Sequence, residues 1–298
     1  MLSLALILSI PTPSSLLTKA SKIADTFQHA CLERLPENLD HVSSLASLLC
    51  GEKIIDPTQK KTLIKTSLIH IFVVSGSHLL LWEKWMCFLR LPWALRGAFL
   101  CFYCLLVGWQ APAVRALLHL SSTVLLRTLR VHLPGDLKVL GSGLLCLILF
   151  PAWWQSLAFT MSWCASLALT LPGLFRLRTS WQRLAFTQFA IYFLMSAPLW
   201  GLGSLHPLNI LYNFFLAPAV SFVLLPLAVL TWLCPSLGGF FDQVMEIFFA
   251  TLPALSEPIV FSQGQPPQAA SLWLWIFIWH IGLHFLRCWL WRGQDHSR

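Results

Sequence analysis

Residues 209–233 read NILYNFFLAPAVSFVLLPLAVLTWL and carry no charged side chain from end to end. A helix needs about 20 apolar residues to cross the hydrocarbon core of a bilayer, and this run meets that length. It is not uniformly inert, because Asn209, Asn213, Pro218, Ser221 and Pro226 interrupt it. Two prolines and the asparagines imply a kinked helix with freed carbonyls, serving either a purely structural bend or a polar site at depth. Outward from this run, further apolar segments fall at about 67–82, 94–109, 111–127, 137–150, 154–174, 183–201, 240–255 and 271–291. The expected fold is an all-α polytopic membrane protein with seven to nine apolar segments. Those shorter than a full span must be tilted, re-entrant or extended past these bounds.

Composition agrees with that solvent. The chain is 57% hydrophobic and 11% charged, with 15 Trp and 21 Phe, whereas soluble domains average about 25% charged residues. Its mean hydropathy of +0.70 leaves too little polar surface to cover a water-soluble globule. Twenty Lys and Arg against twelve Asp and Glu give +8. The basic residues sit in short clusters between apolar segments, as at cytoplasmic loop ends, and form no continuous nucleic-acid-binding face. The nine cysteines are scattered and mostly apolar in context, so no disulfide framework is expected. Cys101 and Cys104 have CxxC spacing but lie inside an apolar run, where helix packing is favoured over redox or metal chemistry.

Residues 1–65 form an expected N-terminal interfacial region. The opening MLSLALILSI is too short to span, and 14–65 is the most polar stretch, with helical spacing of Leu45, Leu48 and Leu49 suggesting an amphipathic surface helix. Residues 66–298 form the expected polytopic domain. From the second apolar segment onward, Arg90 and Arg96, Arg127 and Arg130, Arg176 to Arg183, and Arg287 and Arg292 alternate with connections near Gln110, Pro151, His206 and Gln263 that lack Lys and Arg. This places the clusters and the C-terminus in the cytoplasm. The first apolar segment has lysines on both sides and Ser75-Gly76 at its middle, which predicts a re-entrant or broken helix buried in protein or lining a cavity. No internal repeat is evident.

Polar groups at membrane depth are the functional candidates, since burying them is costly. His70 and His78 flank the Ser75-Gly76-Ser77 break. The break and the Asn213 segment are expected to meet, because lipid satisfies neither. Arg115 begins the third segment and must pair, snorkel or face water. His280 and His284 are one turn apart, a metal-compatible spacing, but lack a third ligand, so an interfacial role beside Arg287 is favoured. Asp242 and Glu246 read as markers of a membrane boundary.

Five motifs in order over about residues 45–230 resemble the ComEC competence proteins. His70-Ile71-Phe72-Val73-Val74-Ser75-Gly76-Ser77-His78 is similar to the family's HLLAISGLH, and Leu49-Cys50-Gly51-Glu52-Lys53 to its Leu-Leu-Gly-Asp/Glu-Arg/Lys. Tyr103 to Gly108 followed by Pro112 to Ala116 resembles its aromatic helix, glycine and Pro-x-x-Arg-Ala. Ala158 to Ala165, containing Ser162, partly matches GFQLSFLA, and Asn213 to Leu227 matches NLLAVPLVSLVLLPL. Ser77, Ala158 and Thr160 depart from the pattern. The resemblance implies an inner-membrane channel passing single-stranded DNA into the cytoplasm during natural transformation, in a short member without the OB-like and metallo-β-lactamase-like domains. It also implies a periplasmic DNA receptor and a cytoplasmic translocase or helicase as partners. The DNA-pathway candidates are His70, Ser75, Gly76, His78, Arg115, Ser162 and Asn213, with no catalytic, cofactor or metal residues and no enzymatic activity expected. A Walker A pattern is absent, so the pulling energy is expected from elsewhere. The alternatives are an intramembrane serine protease built on Ser75 and His280, although Val73 stands where rhomboid-type GxSG has glycine, and a small-solute transporter.

Overall fold

The computed structural model describes residues 14–72, 76–175, 177–200, 206–256, 265 and 267–295. Among them every regular element is helical. The described residues begin with three helices: α1 (Ser14–Glu33), α2 (Val42–Cys50) and α3 (Pro57–Lys65). The short α4 (Ile69–Phe72) and α5 (Gly76–Phe88) follow, then α6 (Trp93–Leu106), α7 (Ala111–Thr128), α8 (Gly135–Leu149), α9 (Leu157–Thr170) and α10 (Ser180–Leu199). Next, α11 (Leu208–Ala219) runs through a π-helical turn, Val220–Leu224, into α12 (Leu225–Leu233), and α13 (Gly238–Ser256) and α14 (Ala269–Asp295) complete the order.

Boundaries follow local chemistry. Asp56 caps α3, accepting from the Thr58 and Gln59 backbone N–H groups with Pro57 at the first helical position. Ser156 caps α9, and Thr179 with Gln182 forms a capping box on α10. The π-helical turn lies between Pro218 and Pro226, where proline removes backbone donors, so the bend expected from the sequence has a defined seat.

Among the described residues two helices are long and apolar enough to cross a bilayer alone: Leu208–Leu233, with mean hydropathy 2.3, and Ala269–Leu290, with 1.5. The other expected segments yield shorter helices, such as the 14-residue α6 and α9. At 1.5 Å per residue each measures about 21 Å, less than the hydrocarbon thickness. The long helices face outward, with 33% and 28% of their most apolar windows buried. On α14 the outer face carries Leu274, Ile278, Ile281, Phe285 and Trp289, while the inner face carries Trp273, His280 and Arg287. Apolar groups outside and polar groups inside invert the soluble arrangement and suit a lipid surround.

Three apolar clusters hold the bundle. One joins α1–α4 to the π turn, α12 and α13. A second joins α8, α9, α10 and α14, and a third joins α5, α6 and α7. The first cluster crosses the boundary expected at residue 65. It also changes the reading of 14–65 as a surface helix, since Ser44 to Cys50 are all buried. The spacing of Leu45, Leu48 and Leu49 marks contact with protein rather than with a membrane surface.

The absence of a disulfide framework is corrected as well: Cys31 and Cys50 are bonded, with Cα atoms 5.9 Å apart. They pair because α2 folds back on α1, a juxtaposition that scattered cysteine counts do not reveal. Gly51 and Gly108 adopt φ of 72° and 73°, the left-handed region that favours glycine. The two turns meet here, with Gln28 donating to the Cys50 carbonyl at 3.0 Å and Gln110 donating to the Gly51 carbonyl. This joint fixes the start of α7.

Candidate functional site

Where the three clusters meet they leave a cavity of about 550 Å³, within the ~300–1,000 Å³ typical of ligand sites. Its walls come from the α3–α4 connection, the start of α5, the first turns of α7, one face each of α9 and α10, and α11 with the π turn. Most of the surface is apolar, with Leu80, Met161, Ile191 and Met195 prominent, and a few polar groups converge on it.

Arg115 dominates those groups. Its residue is 2% exposed. Nε donates to Ser162 Oγ at 3.0 Å, and Nη2 donates to Ser166 Oγ. Nη1 has no hydrogen-bond partner among the described residues. Among the described residues no carboxylate lines the cavity, and the ion pairs are His29–Glu33, Arg96–Glu83 and Arg287–Asp136. Of the options open from sequence, Arg115 therefore neither snorkels outward nor pairs with an acid. It turns inward onto two hydroxyls one helical turn apart on α9. A guanidinium keeps its proton even when buried, so the wall carries a fixed positive charge without a counter-ion among the described residues.

Gly76, Arg115, Ser162 and Asn213 all lie on this wall. Gly76 lets α5 approach α7 closely, since an added Cβ would stand 3.1 Å from Ala116 Cβ and 3.3 Å from the Pro112 carbonyl. Asn213 contributes an Oδ1 without a partner among the described residues. Residues 73–75 of the break lie outside the described residues, but Ile71, Gly76 and Ser77 on either side of them line the same cavity as Asn213. Asn209 also donates to Ser67 Oγ at 2.7 Å. His78 is buried off the cavity wall, and its ring is hydrogen-bonded to the backbone of Ile71, tying α5 to α4. His70 belongs to α4, and Ser75, the proposed nucleophile of the protease reading, lies outside the described residues.

Ser166, His119 and Gln188 are wall residues that sequence reading missed. Ser166 follows Ser162 by four residues, and that helical spacing was the available signal. His119 bonds through Nδ1 to Ser142 Oγ at 3.3 Å. A lone polar residue on an apolar helix gives no comparable cue.

Other candidates resolve into packing. His280 accepts from Trp163 Nε1 at 2.9 Å, and Gly143 leaves room for that indole, whose ring would lie 2.3 Å from an added Cβ. Arg287, read from sequence as a loop-end cation, is buried and bonds both Asp136 oxygens at 2.6 and 2.9 Å. His284 lies 3.4 Å from Arg287, and among the described residues no group of three His, Cys, Asp or Glu is placed to hold a metal. Asp242 accepts from the Asp40 and His41 N–H groups at 3.1 and 3.0 Å, serving the start of α2.

An uncharacterized protein of Mycoplasma genitalium is 26% identical to the chain over 218 residues, covering 68% of this chain and 56% of that protein. The chain thus spans little more than half the length of this relative. No solved structure matches it. The family model for competence proteins matches residues 48–294, from the disulfide-bearing joint through most of α14. With that match and its outward-facing apolar helices, the chain is a membrane protein of the Competence protein family.

Proposed function

We propose that this chain is a ComEC-type channel that passes single-stranded DNA across the bacterial cytoplasmic membrane during natural transformation. The observation that carries the reading is Arg115, a buried cation on the wall of a cavity with no counter-ion among the described residues. A DNA strand brings one negative charge per phosphate, which lipid does not accept, and the route must offer charge without holding the strand fast. Arg115 supplies the charge, Ser162, Ser166 and Asn213 supply weaker polar contacts, and the apolar wall keeps the grip light. The chain acts as a conduit and not as an enzyme. A periplasmic receptor delivers DNA to it, and a cytoplasmic translocase or helicase draws the strand through.

In the proposed multi-pass topology the basic clusters and the C-terminus face the cytoplasm. The Cys31–Cys50 disulfide supports this orientation. It lies at the Gly51–Gln110 joint, on the side assigned to the oxidising periplasm, where disulfides persist. Arg176, Gln263 and Arg298, on which reporter fusions would bear, lie outside the described residues.

Deletion of the gene, followed by transformation with purified marker DNA and complementation by the full chain, tests the function. Loss of transformants with labelled DNA still bound at the surface, restored by complementation, is the expected result. Transformation of the deletion strain at the parental level contradicts the proposal.

A further inference from the structure

Among the described residues Arg115 is the one charged side chain on the cavity wall, and no Asp or Glu shares that wall with it. Ser162 and Ser166 each accept a hydrogen bond from the guanidinium. A hydroxyl that accepts in this way keeps its own O–H to donate elsewhere. Among the described residues, Arg115 thus has an unpartnered Nη1, two serine O–H donors beside it and no anion on its wall. The site is built from donors and carries one positive charge. Most of the remaining wall is apolar, with Met161, Ile191 and Met195 prominent, and among the described residues no Lys or second Arg is there to balance a second negative charge.

We propose that Arg115, Ser162 and Ser166 form a one-cation site that accepts a monoanionic phosphodiester and excludes a dianionic phosphomonoester. A phosphodiester carries a single charge, which one guanidinium neutralises, and its two non-bridging oxygens suit the guanidinium fork with hydroxyl support. A terminal phosphate carries about −1.5 to −2 at pH 7, leaving excess charge in an apolar wall. Such a site engages the interior of a strand and passes over its phosphorylated end. This deepens the DNA-channel reading and rests on it for the source of the diester, since anionic lipid headgroups present the same chemistry.

The test uses the purified full chain in phosphatidylcholine nanodiscs at pH 8, with a short fluorescent oligothymidylate bearing a 5′-hydroxyl as the probe. Dimethyl phosphate should displace the probe at concentrations about tenfold or more below those needed for methyl phosphate, in line with the loss of one charge-assisted contact. Replacing the probe's linkages with uncharged methylphosphonates should weaken binding about ten- to hundredfold, a change made without altering the protein. Arg115→Gln should abolish the preference for the diester, and Arg115→Lys should retain part of it, with a thermal melt of each variant confirming folded protein. Methyl phosphate competing as well as or better than dimethyl phosphate overturns the proposal, as does unchanged binding by folded Arg115→Gln. Nanodiscs containing phosphatidylglycerol separate the sources. Arg115-dependent displacement of the probe by that lipid upholds the diester site but overturns its assignment to DNA, whereas no displacement leaves the strand as the ligand.

Discussion

Arg287 reaches Asp136 with both ends of its guanidinium fork, whereas Arg115, buried at least as deeply, finds two serine hydroxyls and no acid. Both stand on helices of an apolar bundle, and both place a permanent charge where solvation is poor. The first is charge-balanced within the protein and clasps α14 to α8. The second is balanced by nothing among the described residues and fronts a cavity. A buried cation that the fold does not neutralise is expensive, so its position marks where an anion is to be received. Composition treats the two residues alike; their partners separate them.

The contrast can be broken most forcefully at Asp136. Asp136→Ala leaves Arg287 buried and unpaired, a loss expected to cost about 3–5 kcal/mol, seen as a collapse of the monodisperse peak in fluorescence-detected size exclusion. Adding Arg287→Met should restore much of that peak. If Arg115→Ala depletes folded protein as severely as Asp136→Ala, the two arginines share one structural role.

Removing the Cys31–Cys50 bond sharpens the comparison from the Arg115 side, because the joint it closes seats the start of α7. Cys31→Ser should lower stability by about 2–4 kcal/mol, read as a lower melting temperature, and dithiothreitol should reproduce the shift in the parent chain but not in the variant. On the Arg287 side, Gly143→Ala drives a Cβ into the Trp163 indole and should cost about 1–3 kcal/mol. DNA uptake per folded molecule should stay unchanged, since neither residue lines the cavity.

The smallest effect belongs to Asp56, far from both arginines. The Thr58 hydroxyl, then the Thr58 and Gln59 backbone N–H groups, hold its carboxyl below the usual value. The folded state therefore prefers the ionised form. That stability is fully present above the unfolded carboxyl's pKa of about 3.9 and is lost as pH falls through the lower folded value. Asp56→Ala should cost about 1 kcal/mol at neutral pH and flatten the acid limb of the stability profile over that window.

Sequence reading reached the cavity through residues out of place in apolar runs. Arg115 within a helix, Gly76 at a break, Ser162 in a motif and Asn213 ahead of two prolines all stood out locally, and all four reached one wall. What it missed depends on distant residues. Asp136 and Arg287 are 151 positions apart, and each alone resembles a membrane-boundary charge. Cys31 and Cys50 looked like two of nine scattered thiols until α2 folded onto α1. The apolar segments were legible as helices, but their lengths were not. Capping residues such as Ser156 and proline-linked turns cut several of them below a full span.

Arg115→Ala, assayed for surface-bound DNA, internalised DNA and membrane abundance in the same cells, tests the central claim most directly. Internalised DNA should fall to the level of the gene deletion while bound DNA and abundance stay at parental levels, and Arg115→Lys should recover part of the uptake through its point charge. Parental uptake by a fully abundant Arg115→Ala protein would contradict the account.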